Sequence, residues 1–151
     1  MKNLILCAAI LASTNFVFAK ADKVIDISDA RIFAPMKGSN ATGGYVTFKN
    51  ITKSPAVIML KSAVPFKAVE MHETVHKDGR MAMQKIEQLS VDAGKSFELK
   101  PGAHHMMFFD ATKEVKAGDT VQVTFLINGT EEKVDFKVVD RAAQKDEATH
   151  H

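Results

Sequence analysis

Residues 101–110 read PGAHHMMFFD. A Pro-Gly turn signal is followed by two histidines, two methionines and two phenylalanines. They belong to a wider concentration. Four of the six histidines and five of the eight methionines fall between Met71 and Met107. These nine are Met71, His72, His76, Met81, Met83, His104, His105, Met106 and Met107. Thioethers are soft, neutral donors that favour copper(I), and imidazole also binds copper. The sole cysteine is Cys7, so thiolate chemistry plays no part beyond it. A His/Met site offers no thiol to oxidation and is expected to hold copper less tightly than thiolates, as a carrier that releases its metal requires.

The elements that must position these residues read as strands. Successive side chains on a strand point to opposite faces, so His104 shares one face with Met106, and His105 shares the other with Met107. The alternation alone leaves open which pair binds anything. KAVEMHETVH (67–76) and RMAMQKIEQL (80–89) flank Asp78-Gly79, a strong hairpin signal. A two-residue turn there pairs Lys77 with Arg80, His76 with Met81 and Thr74 with Met83. His72 and Met83 become diagonal neighbours, about 7–8 Å apart at Cα, so one hairpin face holds His72, His76, Met81 and Met83. Met71, Glu73, Val75 and Ala82 take the other face. Further strands are expected at 24–34 (a strand pair or one bent strand), 43–50, 56–64, 95–100, 104–109, 120–127 and 132–140, with Asn128-Gly129 turning the last pair. Eight or nine short strands with frequent turns imply an all-β sandwich or barrel of one domain, residues 20–140.

The N-terminus reads differently. Lys2 precedes the apolar run LILCAAILA (4–12), and Ala19-Lys20-Ala21 fits a small-residue cleavage site. Residues 1–19 are therefore expected to be an export signal, cut after 19 or 21. The run is shorter than the ~20 residues of a membrane span, and Cys7 lies too early for a lipidation cysteine. No later segment is apolar enough to span. Without Lys2 the net charge falls from +2 to +1, which leaves no basis for nucleic-acid binding. Residues 141–151 read as a polar, disordered tail. Asn40-Ala41-Thr42, Asn50-Ile51-Thr52 and Asn128-Gly129-Thr130 match the glycosylation pattern, but short polar turns explain them.

The spacing resembles a known signature. In the periplasmic copper(I) chaperones called PCu(A)C, a His is followed by ten residues, Met, twenty-one residues, His, one residue and Met. His72, Met83, His105 and Met107 stand at those spacings. GGYVTFKN (43–50), VEMHE (69–73), DGRMAM (78–83), LKPGAHHMMF (99–108) and KAGDTVQVTF (116–125) resemble the family's surrounding blocks, and the resemblance covers about residues 23–139. It implies a cupredoxin-like Greek-key β-sandwich that holds one copper(I) through the four motif residues. It also implies delivery towards the copper centres of cytochrome c oxidase, often with a Sco-type thiol protein. His104 departs from the family pattern, where a non-ligand residue is usual. His76, Met81, His104 and Met106 are candidate secondary ligands, and His150-His151 a candidate tail site for copper(II).

Other classes fit the same residues less well. Methionines at a period of two are commonly core filler, and a single histidine is more often structural than a ligand. A blue-copper carrier needs a Cys thiolate. A histidine-brace copper enzyme needs His at the processed N-terminus, where Lys20 or Asp22 stands. A metal-free immunoglobulin-like export or adhesion module explains the strands but not the four-position spacing. The sequence therefore reads as a non-enzymatic copper carrier.

Overall fold

The computed structural model describes residues 23–141. The expected export signal with its cleavage positions and residues 142–151 of the tail, His150 and His151 included, lie outside the described residues. Ten strands are described: β1 (Ile25–Phe33), β2 (Ala41–Asn50), β3 (Ala56–Val64), β4 (Phe66–Lys77), β5 (Arg80–Ile86), β6 (Leu89–Val91), β7 (Ser96–Leu99), β8 (His104–Ala111), β9 (Thr120–Ile127) and β10 (Thr130–Val139). No helix among the described residues is long and apolar enough to cross a membrane.

The strands form one sheet in the order β5-β4-β8-β2-β1-β10-β9-β3-β6, with β7 paired to β2. One end of β2 pairs with β8 and the other with β7, along the same edge. β1 and β10 run parallel; the remaining ladders are antiparallel. β8 and β10 are three strand steps apart, roughly 14 Å in a flat sheet. Yet the Phe108 and Phe136 rings are 6.4 Å apart, and those of Phe48 and Phe125 are 5.3 Å apart. The sheet is therefore rolled around its own core, as the sandwich-or-barrel expectation required. Short connections at Pro65 and at Glu87-Gln88 join the two ends of the strand order, β4 to β3 and β5 to β6. The core between the curled faces holds Phe48, Phe108, Phe125, Phe136, Ile25, Ile32 and Ile58, all fully buried. This is an all-β, cupredoxin-like fold.

One reading of the sequence changes here, and one open alternative is decided. Residues 80–89 are not one strand: β5 stops at Ile86, and Leu89 begins β6, which pairs with β3. Three residues carry too little periodicity to be seen as a separate strand. Of the two alternatives for 24–34, the bent strand is found: β1 (Ile25–Phe33) has a register shift between Ser28 and Arg31 and Asp29 at φ 54. The two hairpin turns are as expected. Asp78-Gly79 has φ of 52 and 74, and Asn128-Gly129 has φ of 49 and 83. Positive φ at both central residues is the type I′ geometry whose twist suits a hairpin.

Candidate metal centre

β4 lies between β5 and β8, and its two ladders decide which residues meet. Against β8, His72 stands opposite His105, Met71 opposite Met106, Glu70 opposite Met107 and Glu73 opposite His104. Against β5, Thr74 stands opposite Met83, His76 opposite Met81 and His72 opposite Lys85. Residues directly opposite share a face. One face of this three-stranded patch therefore carries His72, His105, Met107 and Met83, with Glu70 and Lys85 at its edge. His76 and Met81 continue the same face towards the hairpin turn. The other face turns into the protein. Met71 and Met106 are buried there, and the His104 ring meets Phe97 edge-on at 4.9 Å. His104 and Met106 are thus separated from the first group by the thickness of the sheet.

Seating β8 depends on two small residues of β2. Gly44 lies opposite Met106 and faces the core; a Cβ there would meet Phe108 Cε2 at 2.7 Å and the Arg31 carbonyl oxygen at 2.9 Å. Gly43 lies opposite Met107 and sets no side chain against that thioether.

The two imidazoles at the centre are nearly parallel, with ring centroids 5.8 Å apart and an interplanar angle of 29°. Each has one nitrogen engaged. His72 Nε2 lies 2.8 Å from Glu70 Oε2, and His105 Nδ1 lies 3.4 Å from the Ala103 carbonyl oxygen. A carboxylate and a carbonyl only accept, so both engaged nitrogens are the donors. In the neutral rings this places the lone pairs on His72 Nδ1 and His105 Nε2. Those two atoms are buried and have no hydrogen-bond partner. A buried acceptor left unpaired normally costs on the order of 1–3 kcal/mol, so two on facing residues call for a ligand. A histidine that holds a metal characteristically donates its other N–H to a carboxylate or a backbone carbonyl, the arrangement found at both rings.

The electrostatics favour the neutral form of His105. Burial, chiefly, pushes the His105 imidazolium below its ordinary value, with the Ala103 carbonyl acting against it. The hydrogen bond from His72, chiefly, holds the Glu70 carboxyl below the usual carboxylate range, and Lys85 adds to this from 3.3 Å. Among the described residues no three His, Cys, Asp or Glu side chains are grouped to hold a metal. The soft donor atoms beside the two lone pairs on this face are the thioethers of Met107 and Met83. Met107 is half-buried on the same face; Met83 is 66% exposed on the edge strand β5 and forms the open side.

A profile described as "Putative lipoprotein LpqE-like" matches residues 25–138. The chain belongs to the LpqE-like family. This LpqE-like chain is 27% identical over 119 residues to "Putative lipoprotein Lxx21020" of Leifsonia xyli subsp. xyli, covering 78% of this chain and 70% of that one. Its fold is that of the PCuAC domains. It is similar to the "Copper-bound PCuAC domain from PmoF2", with a TM-score of 0.63 and 19% identity over 78% of this chain and 94% of that chain. It is also similar to the solution structure of "CuI-DR1885" from Deinococcus radiodurans, with a TM-score of 0.62 and 20% identity over 82% of each chain.

Sequence reasoning missed Glu70, Lys85 and the Ala103 carbonyl. The available signal for Glu70 was its place two residues before His72, on the same face of the strand. Nothing in spacing marks Lys85, because its relation to His72 is a cross-strand register. The Ala103 carbonyl is a backbone group; it accepts from Thr74 N at 3.1 Å as well as from His105.

Proposed function

We propose that this chain is an extracytoplasmic copper(I) chaperone, with His72, Met83, His105 and Met107 as its ligands. The observation that carries the reading is the pair of buried, unpartnered lone pairs on His72 Nδ1 and His105 Nε2, with thioethers on the same face. Two neutral nitrogens and two neutral sulfurs form a soft donor set suited to a singly charged soft ion. The open side at Met83 suits a cargo that must leave, and nothing in the reading requires catalysis. The copper-bound state of similar PCuAC domains supports copper as that cargo. Export to the periplasm and delivery towards the copper centres of cytochrome c oxidase, directly or through a Sco-type thiol protein, complete the proposal.

Competition of the copper-free protein with a chromogenic copper(I) chelator tests it. One tightly retained equivalent is expected. His72→Ala, His105→Ala, Met83→Leu and Met107→Leu each weaken it, whereas His104→Ala, on the opposite face, leaves it nearly unchanged. No retained copper(I) at one equivalent, or equal losses for His104→Ala and His105→Ala, overturns the assignment.

A further inference from the structure

The ligand face does not end at the four residues. Asp78-Gly79 is a two-residue turn closed by Lys77 and Arg80. In an antiparallel ladder, hydrogen-bonded and non-hydrogen-bonded pairs alternate, and the pair that closes a two-residue turn is hydrogen-bonded. His76–Met81 and Thr74–Met83 are then non-hydrogen-bonded pairs, where Cα atoms approach to about 4.5 Å and side chains lie closest. Thr74 sits between His72 and His76, so Met83 is diagonal to both histidines. Met81 and Met83 are 68% and 66% exposed, side by side on β5, the strand that ends the sheet. Large apolar side chains normally gain by burial, and neither methionine packs on the core. No hydrogen bond or ion pair engages His76 among the described residues. The cationic pair Lys77 and Arg80 belongs to the alternate face.

We propose that His76 and Met81, with Met83 as a shared third donor, form a second and weaker copper(I) site at the hairpin tip. It rests on the same donor chemistry as the inner site but uses none of the two buried lone pairs. Three of the four inner donors, His72, His105 and Met107, are half-buried or buried; His76 and Met81 of the outer site are exposed, at the tip of an edge hairpin. Weaker binding follows, because the outer donors are not held by neighbouring groups as His72 and His105 are. Copper at the outer site exchanges Met83 with the inner site, and the two sites compete for that sulfur.

The test is copper(I) titration of the processed full-length chain with His150→Ala and His151→Ala, so that the tail contributes nothing. Methionine-methyl NMR is recorded at each addition. Two equivalents are expected, the second weaker and shifting the Met81 methyl resonance. His76→Ala with Met81→Leu abolishes the second equivalent and leaves the first. With the inner site disabled by His72→Ala and His105→Ala, one weak equivalent remains and is weakened further by Met83→Leu. A single equivalent in the parent chain, or a second that survives His76→Ala with Met81→Leu, overturns the proposal. So does a remaining equivalent that ignores Met83→Leu. Failure of the inner site would appear separately, as a first equivalent indifferent to His72→Ala and His105→Ala.

Discussion

Glu70→Ala removes the group that decides which nitrogen of His72 faces the site. Glu70 Oε2 accepts from His72 Nε2 at 2.8 Å, which leaves the lone pair on Nδ1. Without the carboxylate, the neutral ring is free to place its proton on either nitrogen. Part of the population then presents an N–H where the metal needs a lone pair, and the ring loses the basicity that a carboxylate partner confers. Groups standing behind a ligand histidine are worth about 10- to 100-fold in metal affinity. Glu70 is partly exposed and shares its charge with Lys85 at 3.3 Å, so the lower end applies, about tenfold. Glu70→Gln keeps an acceptor oxygen and is expected to fall between wild type and Glu70→Ala. Chelator competition reads the affinity, and ¹⁵N NMR of the copper-free protein reads the His72 tautomer directly. Unchanged affinity together with an unchanged ring pattern in Glu70→Ala would refute the argument, because the ring would then be fixed by something else.

Other expectations follow from burial and close contact. Burial depresses the His105 pKa in the folded state, so the unfolded chain takes up that proton first. The copper-free protein then keeps this contribution above the unfolded value of about 6.5 and loses it as pH falls through the depressed folded value. Melting curves between about pH 7.5 and 5 should show this slope and His105→Gln should reduce it; identical slopes would contradict it. Gly44→Ala forces a Cβ to 2.7 Å from Phe108 and 2.9 Å from a backbone oxygen. It should cost about 1–3 kcal/mol, read as a melting temperature lower by about 4–12 °C. Gly43→Ala, whose nearest atom is 3.8 Å away, serves as control, and equal shifts would sink the packing argument. Asn50 is fully buried and donates to the Ser54 and Val91 carbonyls at 2.8 and 2.9 Å. Asn50→Ala should therefore lower stability by about 2–3 kcal/mol in chemical denaturation, and a midpoint unchanged at constant slope would contradict the count of lost partners.

The sequence by itself determined the class of the fold and the local geometry of the ligand hairpin. Period-two alternation and Asp-Gly and Asn-Gly turns are local signals, so the pairing of His76 with Met81 and Thr74 with Met83 could be written down before any coordinates. Clustering of His and Met named the chemistry, and the resemblance in spacing named four residues. The tertiary structure decided what alternation could not. HHMM offers a His and a Met to each face, and only packing against β2 and β4 says which face is core. Phe108 and Met106 fill the interior beside Gly44, so His105 and Met107 turn to the patch and His104 turns away. Cross-strand register, a product of the whole sheet, placed His72 against His105 and brought Lys85 to Glu70 behind the His72 ring. It also parted Leu89 from β5, because a chain that must join both ends of a rolled sheet cannot continue along one edge. Strand identity is a property of a few neighbouring residues; the two unpartnered lone pairs exist only where distant segments exclude water from both.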